Sequence, residues 1–216
     1  GSPVEGNVGS TSMVFYDGVG PRGGDLVVGG YHWQKGVQGM DRHTGKVLWS
    51  GNPAGGESIG ANSPAFSNDG SVIYVTNDAT ESEDFPNGHP LMAFESDTGP
   101  SIFWHNGDDP NAANFGVFSP QVAPDGRIFS HAWVDRPYAA TDTPGVGLVQ
   151  TWSAATPADE GKSLPALYED EGNLRVVVTG RDGGIRQYDG TNSPGVELWA
   201  VATGQFANAT PTVDPA

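Results

Sequence analysis

Five histidines and many scattered carboxylates are the residues in this sequence that could do chemistry. Imidazoles hold a transition metal when two or three converge with carboxylates. His32, in Gly30-Tyr31-His32-Trp33, and His131, in Ser130-His131-Ala132-Trp133, both fall near the end of a predicted strand. They occupy different slots of the repeat described below, in units that are not adjacent. His43 sits in a turn. Packing or solvent exposure is the plain reading for all five, His89 and His105 included. Calcium is a second chemistry, because it takes clustered oxygen ligands. Asp78, Glu81, Glu83 and Asp84 form one acidic cluster, and Asp108, Asp109, Asn111 and Asn114 another. Neither has the spacing of a helix–loop–helix calcium site, and a solvated acidic loop is the default for both. The second cluster suits calcium better, since Gly107 and Pro110 shape a turn and asparagine adds neutral oxygens.

Glycan binding is the third chemistry. It uses exposed aromatic faces with polar neighbours. Tyr31, Trp33, Trp133 and Tyr138 lie near strand ends or in insertions, which makes them, with His32 and His131, the candidate ligand-binding set. Core packing is the competing reading for Trp33 and Trp133. No phosphate loop, nucleophile elbow or His-Glu-x-x-His helix is present. No catalytic residue is assigned.

The elements that must carry these residues are read from repeats. A Pro-led phrase ending in Asp-Gly precedes a β-branched run at Ser63–Val75 and again at Ser119–Phe129. A third copy spans Leu164–Val178, a weaker one opens at Ser12, and Thr210-Pro211-Thr212-Val213-Asp214 begins another. A second phrase fills the other half of each unit. It reads Asp41-Arg42-His43-Thr44-Gly45-Lys46-Val47-Leu48-Trp49, then Asp97-Thr98-Gly99 to Trp104, then Asp189-Gly190 and Gly195 to Trp199. Asp-Gly between alternating apolar runs is a strong hairpin signal, because glycine accepts positive φ. Proline at a strand start is tolerated, as its missing N–H lies at the ladder's end.

Each unit thus predicts four antiparallel strands, with Asp41, Gly45, Trp49, Asp97, Gly99, Trp104, Asp189, Gly195 and Trp199 as structural repeat positions. The expected units are 11–60, 61–116, 117–161 and 162–207, with 208–216 as the first strand of a further unit or a ring-closing strand. Residues 1–10 are expected to be a disordered tail, its Gly1-Ser2 an expression scar. The third unit reads as degenerate: Val149–Trp152 gives a strand, with no Thr-Gly turn and no outer tryptophan after it. Residues 77–90 and 135–145 are expected as insertions joining strand two to strand three, emerging on one face. Sheets of this size are marginal alone and must stack. Radial stacking of four-stranded sheets gives an all-β β-propeller.

Composition excludes several functions. The net charge is −16, with 10 Lys+Arg against 26 Asp+Glu. Such a surface repels phosphate backbones and anionic lipid. No apolar run approaches the roughly 20 residues of a bilayer span. Cysteine is absent, so disulfides, thiolate metal sites and cysteine nucleophiles are excluded. Gly at 32 and Pro at 17 match many short elements joined by tight turns.

The phrase at 41–49, with its copy at 97–104 and the Pro…Asp-Gly phrases, resembles the repeat of the PQQ-like (quinoprotein alcohol dehydrogenase-like) propeller family across residues 11–214. The resemblance implies blades, and it implies rings of seven or eight of them. About four are present here. A partial ring, or one completed jointly by a second copy or a second chain, is expected ahead of a closed four-blade ring. The family's dehydrogenases use an adjacent cysteine pair, a stacking tryptophan, a catalytic aspartate and calcium ligands, and no position here takes those roles. The expectation is a non-catalytic scaffold recognising a protein or glycan through loops on one face. It would sit outside a bacterial cytoplasm, binding no nucleic acid and carrying no cofactor unless calcium. The alternative is a fragment or subunit of a quinoprotein-like or metal-dependent enzyme completed by further blades.

Overall fold

The computed structural model describes residues 14–15, 26–31, 36–51, 63–76, 91–96, 102–105, 119–131, 137–143, 147–155, 164–180, 182–204 and 210–213. Every regular element among them is a strand. The first sheet holds β1 (Val14–Phe15), β2 (Leu26–Tyr31), β3 (Gly36–Asp41) and β4 (Val47–Gly51). The second holds β5 (Ala65–Phe66), β6 (Val72–Thr76), β7 (Leu91–Glu95) and β8 (Ile102–His105). The third holds β9 (Gln121–Val122), β10 (Ile128–His131), β11 (Pro137–Thr143) and β12 (Gly147–Ser153). The fourth holds β13 (Ala166–Asp170), β14 (Asn173–Thr179), β15 (Gly184–Asp189) and β16 (Glu197–Ala202). Each sheet runs in chain order, antiparallel throughout. The chain divides into two compact units, Gly1–Ala113 and Asn114–Ala216, each with two of these sheets.

Turn chemistry explains the hairpins. Gly70 and Gly126, each after an aspartate, take φ of 73° and 86°, which lets their N–H groups reach back to the carbonyls of Ser67 and Ala123 at 2.9 Å. Asp69 holds its turn from the side: its Oδ1 accepts from Ser67 Oγ at 2.6 Å, Ser71 N at 3.0 Å and Ser71 Oγ at 2.7 Å. Asp41 does the same for the β3–β4 turn, accepting from the N–H and hydroxyl of Thr44 at 2.7 and 2.8 Å.

The third unit is not degenerate. Pro137–Thr143 is a strand, β11, and not part of an insertion, so Gly147–Ser153 is the fourth strand. Trp152 is therefore the outer tryptophan that this unit was expected to lack. The register makes the equivalence plain. Trp49 pairs with Gly39, Trp104 with Ala93, Trp152 with Ala139 and Trp199 with Gln187. In all four sheets the register shifts one residue beyond that pair, so the residue before the tryptophan is the extra one of a β-bulge. The bulge bends the outer strand at a fixed distance from the indole.

Within the second unit, two sheets share one core. Ala123, Phe129, Ala139, Trp152 and Ala154 of the third sheet pack with Leu174, Val176, Val178 and Tyr188 of the fourth. Strand alternation decides which residues take part: Val176 and Val178 face the third sheet, while Val177 faces the other way. Phe129 and Trp152 meet at 5.2 Å between ring centroids, tilted by 58°. The small Ala139 between their strands gives them room. Burying an indole fully contributes on the order of 4 kcal/mol before conformational entropy is subtracted.

Candidate functional site

The end of the third sheet where β10 passes to β11 holds two of the candidate residues. His131 closes β10 opposite Pro137, the first residue of β11, and Tyr138 follows it opposite Ser130. All are buried: His131 and Ser130 are 0% exposed and Tyr138 1%. Cross-strand partners share a face and neighbours alternate. His131 therefore lies on the face of Phe129 and Trp152, toward the fourth sheet, while Ser130 and Tyr138 lie on the opposite face. The sheet brings the two candidates close in the chain ladder but separates their side chains. Tyr138 is a strand residue inside the protein, where the sequence suggests an insertion. Burial pushes its hydroxyl above its ordinary value, and a hydrogen bond with Ser130 only partly offsets this.

Tyr31 ends β2, opposite Gly36. His32, Trp33 and Trp133 lie outside the described residues, as do Asp108, Asp109, Asn111 and Asn114, Asp97 and Gly99. Among the described residues no group of three or more His, Asp or Glu side chains is placed to hold a metal ion. No helix among them is long and apolar enough to cross a membrane.

The geometry that sequence reasoning missed is a clasp between consecutive sheets. Trp152 Nε1 donates to the Asp189 carbonyl at the end of β15, at 3.0 Å. Gly195 lies against the same indole, and a methyl group there would collide with it. The backbone completes the clasp: Gly195 N donates to Ser153 O and Ala155 N to Gly195 O, both at 2.8 Å. The first unit repeats the theme. Trp49 Nε1 donates to the carbonyl of Ser96, just past β7, at 3.1 Å. Trp49 lies over Gly39, where a Cβ would have no room. One signal could have found Trp152, namely the five-residue step from Gly147, equal to that from Gly99 to Trp104.

The fourth sheet differs. Gln187 stands where the others have Gly or Ala, and its Nε2 donates to the Tyr168 hydroxyl. Trp199 is 42% exposed, whereas Trp152 is 1% exposed. Asp189 keeps the turn role of Asp41. Its Oδ1 accepts from Thr191 N at 2.9 Å and its Oδ2 from Asn192 Nδ2 at 2.7 Å. Burial would raise its carboxyl, but these bonds outweigh it and hold the group below the usual carboxylate range.

No family model matches the chain, and no curated protein matches it. Among solved structures it is similar to a crystal structure of the computationally designed Ika8 protein, with a TM-score of 0.61 and 18% identity. The match covers 88% of this chain and 50% of that one, so the chain spans half of its length. At that identity the likeness concerns fold alone.

Proposed function

We propose that the four sheets are blades of a β-propeller, and that the chain is a non-catalytic scaffold recognising a ligand at loops on one face. The observation that supports this best is positional. The connection from second to third strand leaves its own sheet at the same end each time, after Tyr31, Thr76 and His131. Two of these connections start with aromatic residues beside histidine: Tyr31-His32-Trp33, and Trp133 after His131. A rigid sheet end carrying variable loops is the usual home of binding residues. Flat aromatic faces with polar neighbours favour a glycan over a protein ligand. The resemblance of the repeat phrases to those of PQQ-like propellers supports the blade part of this reading.

The test is affinity electrophoresis and calorimetry against mannan, xyloglucan and chitohexaose. Wild-type protein is expected to be retarded by one of these glycans. Trp33→Ala and Trp133→Ala should each weaken that binding about tenfold at unchanged melting temperature. A wild-type protein that ignores every glycan, while crosslinking to one defined protein partner, would move the ligand to the protein class.

A further inference from the structure

The turns that shape the hairpins are also the places where the main chain is chemically weakest. In an Asp-Gly step the glycine nitrogen can attack the aspartate Cγ, since glycine has no side chain to hinder it. The N–Cγ bond forms and a carboxyl C–O bond breaks. The oxygen leaves as water, taking the amide proton and the proton of the carboxyl. Water then opens the succinimide ring at either carbonyl, which returns aspartate or gives isoaspartate. Isoaspartate routes the main chain through Cβ and Cγ, one atom longer, and would throw a hairpin out of register.

Four such steps lie among the described residues: Asp69-Gly70, Asp125-Gly126, Asp182-Gly183 and Asp189-Gly190. The first three aspartates are exposed to water. Crowding does not shield them all, since a Cβ at Gly126 would meet nothing within 4 Å. Each step instead carries the same two bonds. The glycine N–H donates backwards: Gly70 to Ser67 O and Gly126 to Ala123 O at 2.9 Å, Gly183 to Gly180 O at 3.0 Å, and Gly190 to Leu174 O at 2.8 Å. The aspartate Oδ1 accepts from the N–H two residues on: Ser71 and Arg127 at 3.0 Å, Gly184 at 2.8 Å and Thr191 at 2.9 Å. One bond occupies the proton that the attacking nitrogen must shed. The other fixes the carboxyl, so its carbon cannot turn to face that nitrogen. Ionisation acts in the same direction, because a carboxylate loses its oxygen far less readily than the acid does. Hydrogen bonds from Ser67 and Ser71 hold Asp69 at about 2, and those from Arg186 lower Asp182. Burial would raise Asp125 and Asp189, but Arg127 and Asn192 outweigh it.

We propose that this two-bond lock keeps all four steps as aspartate in the folded chain, and that isoaspartate forms at them only when a hairpin opens. The inference concerns single hairpins and stands whether or not the sheets stack radially. Peptide mapping of isoaspartate tests it, in the whole chain aged at mildly acidic pH and in short peptides of the same four sequences. Each step should isomerise at least about 30-fold more slowly in the whole chain than in its peptide, as expected of turns that open rarely. Ser67→Ala with Ser71→Ala removes two hydroxyl bonds to Asp69 and should speed Asp69-Gly70 about threefold or more. The other three steps should keep their wild-type rates, which also shows that the variant is folded. A variant in which all four quicken has unfolded, and Ser71→Ala alone then carries the comparison. Any of the four steps that ages at the rate of its peptide overturns the proposal. So does a folded variant that ages no faster at Asp69, since the carboxyl bonds would then protect nothing. Glycan binding plays no part in this readout, so failure here leaves that reading untouched.

Discussion

The indole of Trp152 donates to the carbonyl of Asp189 at 3.0 Å, joining the outer strand of one sheet to the third strand of the next. Trp152 is 1% exposed and belongs to the core shared by the two sheets. Removing the ring should therefore uncouple the sheets of the second unit. Trp152→Ala is expected to cost about 3–5 kcal/mol in urea denaturation. Trp152→Phe keeps much of the apolar bulk but loses the N–H, and should cost about 1–2 kcal/mol. An alanine variant within about 0.5 kcal/mol of wild type would mean that the indole does not join the sheets.

Two glycines separate backbone strain from crowding. Gly195 is held against Trp152, so Gly195→Ala must push the ring or the hairpin aside and should cost about 1–3 kcal/mol. Gly45 has open space but a φ of 67°, so Gly45→Ala pays only for the left-handed backbone, about 1 kcal/mol. Gly45→Asn should recover most of that loss. Melting curves that rank Gly45→Ala as the more damaging change would contradict the crowding at Gly195.

Acid should weaken the hairpins. The hydroxyl of Ser67, with the N–H and hydroxyl of Ser71, holds the Asp69 carboxyl down at about 2, against an ordinary 3.8. The unfolded chain thus binds this proton more readily than the folded one. The stability that Asp69 contributes is complete above 3.8 and is lost as pH falls through about 2. Asp41 is lowered by the Thr44 hydroxyl and Asp182 by Arg186, so they add to the loss in the same direction. Burial would raise Asp125, but Arg127 outweighs it. Solvent screening keeps the Asp69 share near 1 kcal/mol. The denaturation midpoint of Asp69→Asn should therefore fall less steeply between about pH 4 and 2 than that of wild type. Parallel curves would exclude Asp69 as a contributor.

Local signals account for most of the fold that the sequence reveals. Asp-Gly steps at Asp69-Gly70 and Asp125-Gly126 mark their hairpins because glycine supplies positive φ where the aspartate caps the turn. Trp49 is legible for the same reason, four residues beyond Gly45. The third unit is misread because Pro137 looks like a loop residue, although the first position of a strand needs no donor from it. With β11 taken as an insertion, Tyr138 passes for an exposed ring and Trp152 loses its place in the series. Which carbonyl an indole reaches is a long-range matter, since Asp189 lies 37 residues from Trp152. Nor does any spacing show that His131 and Tyr138 point to opposite faces. That depends on the pairing register, which sequence specifies only through both strands together.

Indole N–H exchange, followed residue by residue in ¹⁵N-tryptophan protein, probes the stacking of sheet on sheet most directly. Six tryptophan signals are available and single Trp→Phe variants assign them. The Trp152 and Trp49 indoles, bonded to Asp189 and Ser96, should exchange at least about 100-fold more slowly than Trp199 in dilute single chains. A Trp152 indole that exchanges as fast as Trp199 under those conditions would contradict the account.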